Sequence, residues 1–299
     1  MADADTRPSG RQRRRQRIPA EQIKQRMFRS AQQMVYDQGV QISLEELSFE
    51  KVIEAAGVSR SSAYRLWPYK GDFVEDLLCY LAGPTMLGSS AFDKDTIELV
   101  RSIVANNGAK PNDPQERRRM LLQAVKEGVA QSFKAMTESR EWYIYVALNA
   151  SVRSTGNDES RLRIAAALLE SQMNLIDKFA ELYRQMLIAT GTRLRDEAYT
   201  VRHMAVAGAA IVEGLALRQI LAMAVYGAKR PPSIPDHNWS LASLVNDELP
   251  GPSVEGGMSD GWSLPAVAFM GIVDAFSEAI PANPAIDPQA LGPYPMATR

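Results

Sequence analysis

From residue 20 onward, apolar residues recur three or four positions apart. Ile23, Met27, Ala31, Met34 and Val35 share one helix face, and Gly39 is a natural stop. In the next apolar stretch Ser48 can cap a short helix, and Glu50 in its first turn suits the helix dipole. Phe49, Val52, Ile53 and Ala56 then face inward, and Gly57 breaks the helix. Ser59 caps another short helix that ends near Leu66, because Trp67 precedes Pro68 and is biased out of the helical region. Phe73, Val74, Leu77, Leu78 and Leu81 mark a further helix, which Gly83-Pro84 ends. The pattern over 20–83 is thus two short helices joined by Gly57-Val58-Ser59 and flanked by longer ones, a helix-turn-helix arrangement.

Beyond Pro84 the same periodicity predicts helices near 94–106, 115–137, 140–153, 159–190 and 197–227, with NNGAKPNDP and STGND as loops. No strand alternation persists beyond a few residues, so the fold class is all-α. Residues 228–263 are rich in Pro, Gly and Ser and read as a long loop with one short helix near 239–247. A final amphipathic helix is expected near 264–280, with Ala266, Val267, Met270, Val273, Phe276 and Ile280 as its apolar set. The proline-rich end, 281–299, is too interrupted to be regular. The domain plan is a basic arm over 1–19, a helix-turn-helix domain over 20–83, a helical domain over 84–227 and an extension over 228–299.

Composition narrows the function. The 299 residues are 45% hydrophobic, ordinary for a globular chain, and no apolar run approaches the ~20 residues of a membrane span. The start carries no apolar stretch of the signal-peptide kind, and the chain holds one cysteine, so a reducing cytoplasm is the expected compartment. Cys79, among Leu77, Leu78, Tyr80 and Leu81, reads as a buried structural thiol. Only His203 and His237 are present, which leaves little for metal sites or histidine-activated nucleophiles; His203 reads as a core or interface residue. No phosphate-binding glycine loop occurs, and neither a cofactor, a metal nor catalysis is expected.

Charge adds a sharper signal. The net charge of −1 conceals RPSGRQRRRQR at 7–17, with six arginines, Arg13, Arg14 and Arg15 among them, and no acid. Such a block cannot bury itself; it suits an arm laid along DNA phosphates or in a minor groove. Within AAGVSRSSAYRLWPYK at 55–70 stand Arg60, Arg65 and Lys70, again without an acid. Ser59, Arg60, Ser61 and Ser62 open the second short helix, where free backbone N–H groups and short hydroxyls favour phosphate. Arg60 and Arg65 can reach guanine edges or phosphates, and Tyr64 can stack or donate to a phosphate. Tyr69 and Lys70 open the following helix and complete the candidate DNA-binding set, while Trp67 is the apolar anchor that packs this element on the first helix.

The segment VIEAAGVSRSSAYRLWPYKGDFVEDLL resembles the DNA-binding segment of the tetracycline-repressor (TetR) family of bacterial regulators. Ala56, Gly57, Val58, Ser59, Tyr64, Trp67 and Lys70 stand where the family has its turn, its recognition-helix tyrosine, its aromatic and its lysine. The resemblance covers about 20–83. It implies that Tyr64 and Lys70 take phosphate contacts while Arg60, Ser61, Ser62 and Arg65 face bases or backbone. Tyr69 departs from the family's small cap residue and Gly71 from its acidic one. The segment also holds seven Lys or Arg against nine Asp or Glu, so the arm is expected to supply much of the electrostatic attraction.

The resemblance further implies a helical domain that binds a ligand and dimerises, with repression as the output. Leu169, Met173, Ile176, Ala207, Ile211, Leu215 and Leu217, on the two longest helices, are the candidate dimer interface, and the Glu213–Gln219 segment belongs to it by resemblance. Phe133, Trp142, Tyr143, Tyr145 and Met173 are the candidate pocket for an apolar small-molecule effector, with Met136, Phe179 and Met186 as further candidates and Asn149, Gln172 and Asn174 as unranked polar groups. The expected partners are double-stranded DNA with a palindromic operator and a second copy of the chain. Two alternatives remain open. A DNA-binding regulator controlled by a protein partner would have a fully packed core between 94 and 227. A helical enzyme would have a buried carboxylate pair in a cleft.

Overall fold

A computed structural model of the chain describes residues 18–38, 47–83, 94–107, 113–152, 158–227, 244–245, 247–254 and 257–280; the side chains of 38, 104, 106, 107, 151 and 221–227 lie outside the description. The fold is mostly helical, with short strands at 192–194 and between 248 and 279. The chain divides into two compact units, Met1–Leu77 and Leu78–Arg299.

In the first unit, α1 (Ala20–Gln38) packs across α2 (Phe49–Ala55) and α3 (Arg60–Leu66), and α4 (Lys70–Leu81) begins within it. Ile23, Met27, Phe28, Ala31 and Val35 are buried on α1, with Phe49, Val52 and Ile53 on α2. Trp67 is the keystone: only 1% exposed, its ring centroid lies 5.7 Å from Phe28, 6.5 Å from Phe49 and 5.1 Å from Phe73. Its indole N–H donates to Asp76 Oδ2 at 3.0 Å, so a buried polar group is satisfied. Cys79, on α4, is half-buried rather than fully buried.

The second unit contains α5 (Lys94–Asn107), α6 (Pro114–Glu138), α7 (Arg140–Ser151), α8 (Asp158–Ala189), β1 (Thr192–Leu194), α9 (Val201–Gly227), β2 (Glu248–Pro252), β3 (Met258–Ser263), α10 (Leu264–Phe276) and β4 (Ser277–Ala279). Helix α6 packs against α5, α9 and α10, and α8 lies along α9. Asp113 caps α6 by accepting from Gln115 N at 2.8 Å, with Pro114 in the first turn, where its missing N–H costs nothing. Helix α9 starts at Val201 rather than 197, because Asp196 organises a turn before it: its Oδ1 accepts from Ala198 N at 2.8 Å and its carbonyl from Tyr199 N at 3.1 Å. Thr200 and His203 then cap the helix reciprocally, each side chain accepting the other's backbone N–H at 3.2 Å. His203 is therefore an exposed capping residue, not a core one.

The 248–263 stretch corrects the expected loop. Strands β2 and β3 pair antiparallel, Glu248 with Ser263 and Leu249 with Trp262, and the register shifts between Leu249 and Gly251. Gly251 is required there, because a Cβ would lie 2.4 Å from the Trp262 ring, which covers the glycine and is itself 1% exposed. The expected short helix near 239–247 falls largely outside the described residues, although Leu244 and Val245 are helical. The last helix also ends earlier than expected. After Phe276 the Ser277 hydroxyl donates to Val273 O at 2.7 Å, and Ser277–Ala279 pairs with β1 instead of continuing the helix. Helix α10 is built into the second unit, its Pro265, Ala266, Phe269, Met270 and Val273 buried.

Candidate functional site

The turn between α2 and α3 follows directly from its residues. Gly57 has φ +63°, in the left-handed region that a Cβ disfavours. Its N–H donates to Glu54 O at 3.1 Å and that of Val58 to Ile53 O at 3.2 Å, closing α2. Ser59 is extended at φ −71°, ψ 141°, and its hydroxyl accepts from Ser62 N at 3.2 Å, opening α3. Ala63 and Trp67 pin α3 to the interior, which leaves Ser59, Arg60, Ser61, Tyr64 and Arg65 exposed and Ser62 half-buried. Tyr69 and Lys70 are exposed at the start of α4. The structure therefore brings these eight candidates onto α3 and the adjoining end of α4. Arg13, Arg14 and Arg15 lie outside the described residues.

Two details were not legible beforehand. Glu50, on α2, ties two of the candidates together: its Oε1 accepts from the Tyr64 hydroxyl at 2.8 Å and its Oε2 pairs with Arg60 Nε at 2.9 Å. That hydrogen bond holds the Tyr64 phenol above its ordinary range, so Tyr64 remains a donor. The Tyr64 ring also meets Phe49 edge-on at 5.4 Å, which fixes its direction. Among the described residues no acid pairs with Arg65. The second detail is the start of α4. Asp72 Oδ2 accepts from Tyr69 N at 3.3 Å, supplying the reverse half of a capping box where no small cap residue stands.

The second unit holds a largely apolar, partly open pocket whose empty space, about 810 Å³, includes solvent at its mouth. Its walls come from α5 (Thr96, Val100), α6, α8, α9 and α10 (Phe269, Val273). On α6 the lining residues Leu121, Ala124, Val125, Gly128, Val129, Ser132 and Met136 share one face. Phe133 follows Ser132 and lies about 100° further round the helix, buried but off the cavity. The other four pocket candidates also miss it. Trp142 is buried beside Tyr143, their centroids 5.9 Å apart, and the Tyr143 hydroxyl donates to Thr137 O at 3.0 Å, so both serve the corner between α6 and α7. The Tyr145 hydroxyl accepts from the Gln172 amide, tying α7 to α8. Met173 is 44% exposed. Met136, Phe179 and Met186 do line the cavity.

Among the described residues Glu213, half-buried on α9, is the only charged side chain on the lining, and its carboxyl is pushed up to about 7 by burial. It stands in the Glu213–Gln219 segment that the resemblance gives to the dimer interface. The remaining interface candidates are outward or partly so: Leu169 is 60% and Leu217 41% exposed, while Ile176, Ala207, Ile211 and Leu215 are half-buried. Leu162, Val206 and Ala210 extend this apolar surface along α8 and α9, and Arg202 Nε bridges the two helices to Asp177 at 2.7 Å.

Among the described residues no His, Cys, Asp and Glu cluster could hold a metal ion, and no helix is long and apolar enough to cross a membrane. No protein-family model, curated protein or solved structure matches the chain, so its function is read from its own residues.

Proposed function

We propose that the chain is a sequence-specific DNA-binding transcriptional regulator of the TetR type, acting as a homodimer and answering to a small apolar effector. The observation that carries the reading is the α3 surface. Hydroxyls, two arginines and an oriented tyrosine stand exposed on a short helix whose opposite side is locked by Trp67. A helix so held inserts its N-terminal residues into a major groove, and a dimer presents two of them about one DNA turn (~34 Å) apart. Leu169, Met173 and Leu217 offer apolar area for a two-fold helical interface, with Ile176, Ala207, Ile211 and Leu215 at its edge. The cavity favours effector control over a fully packed core. An effector releases the DNA only through its differential affinity for two arrangements of the dimer. Repression follows from the resemblance. Among the described residues the lining carries one acid, Glu213, where the enzymatic alternative calls for a carboxylate pair.

Binding of the full chain to a mixed-sequence duplex over a range of salt tests the reading without knowledge of an operator. Affinity should fall steeply with salt, and deleting residues 1–17 should lower it on every sequence and flatten the slope. Absence of salt-dependent binding would contradict the proposal.

A further inference from the structure

Glu50 sets an acid in the middle of the surface formed by α3. Both of its carboxylate oxygens are taken in the free chain: Oε1 accepts from the Tyr64 hydroxyl at 2.8 Å, and Oε2 lies 2.9 Å from Arg60 Nε. These ties do little for the fold. The Arg60 side chain is 78% exposed, and ion pairs so exposed contribute little to stability. Phe49, Val52 and Ile53 already seat α2 in the core. Against a duplex the carboxylate repels phosphates, and Arg60 and Tyr64 both turn away from it to meet the DNA. It is then left at the groove with two oxygens that only accept. On the major-groove edge the donors are exocyclic amines, N4 of cytosine and N6 of adenine.

We propose that Glu50 is a specificity-determining residue, accepting from the amino group of a cytosine while Arg60 takes the guanine of the same base pair. The inference rests on the reading of α3 as the DNA-binding surface, and it adds an acid from α2 to that surface. Guanine O6 and cytosine N4 lie side by side on the groove edge of one pair. Two side chains that touch each other in the free chain thus suit two neighbouring atoms of one G·C pair. One ion pair is exchanged for charge-assisted hydrogen bonds to both bases. On a phosphate, or on a base pair without that amine beside guanine, one of the two side chains is left without a partner. The exchange therefore discriminates, because the wrong sequence strands a charge.

The test begins with duplexes selected from a random library by the full chain. Each cytosine of the selected half-site is then replaced in turn by N4-methylcytosine. That base still pairs with guanine but turns a methyl group, in place of the amine hydrogen, into the major groove. One replacement should weaken binding of the unaltered chain about tenfold and that of Glu50→Ala by no more than about twofold. A fresh selection with Glu50→Gln, which keeps the shape of the side chain, should relax the cytosine requirement at that position and leave the rest of the motif in place. A half-site without cytosine, no loss at any replaced cytosine, an equal loss in both chains, or an unchanged motif from Glu50→Gln would overturn this inference and leave the DNA-binding reading standing. Failure of the unaltered chain to select any motif would overturn that reading, and the inference with it.

Discussion

Glu213 and Arg65 show how single residues carry the account. The Glu213 carboxyl moves from an ordinary 4.5 to about 7 on folding, so the native state holds a proton that the unfolded chain releases. Stability therefore falls as pH rises through the window from 4.5 to about 7, by on the order of 3 kcal/mol. Glu213→Gln should remove this component. Its melting temperature relative to the unaltered chain should be higher at pH 8 than at pH 5, and a difference independent of pH would contradict the buried-acid description. Arg65 is exposed on α3 with no acidic partner among the described residues, whereas Arg60 must leave Glu50 before it reaches a phosphate or a base. Arg65→Ala should cost ~1–3 kcal/mol in affinity and relax specificity at one base pair, measured over a set of operator variants. An equal loss on every sequence would make it a phosphate contact instead.

At the scale of elements, α10 joins the wall of the cavity through one close approach. A Cβ on Gly208 of α9 would lie 2.4 Å from Phe269 Cε2, so Gly208→Ala should push α10 outward and cost ~1–3 kcal/mol in chemical denaturation. Phe269→Leu in the same chain should restore part of that loss; purely additive costs would show that the two residues do not meet. The helices themselves were largely legible in the sequence, because Ile23 to Val35 and Phe49 to Ile53 repeat at helical spacing and Ser48, Ser59 and Gly57 punctuate them. Elsewhere the signal is weak for physical reasons. Strands β1 and β4 are three residues each, too short for alternation, and the β2–β3 hairpin carries an irregular register over a Gly and Pro composition. The cavity was obscured for another reason. Its lining is gathered from five helices, and the conspicuous aromatic run Trp142-Tyr143-Tyr145 serves the α6–α7 corner and the tie to α8. The marks that could have signalled it are small residues, Gly128 and Gly208, whose missing side chains let Val100 and Phe269 approach.

The whole molecule joins these parts in two predictions. Leu169 and Met173 are exposed on α8, so Leu169→Lys with Met173→Lys should leave the subunit folded while shifting sedimentation from dimer to monomer. A dimer that persists would place the interface elsewhere. The central claim is that two copies of the α3 surface read a palindrome. The most direct test captures fragmented genomic DNA with the full chain, beside a Tyr64→Ala/Lys70→Ala double variant, and sequences what is bound. The account predicts a palindromic motif with half-sites one helical turn, or a multiple of it, apart, lost in the double variant. Equal recovery by both proteins, or no motif from either, would contradict it.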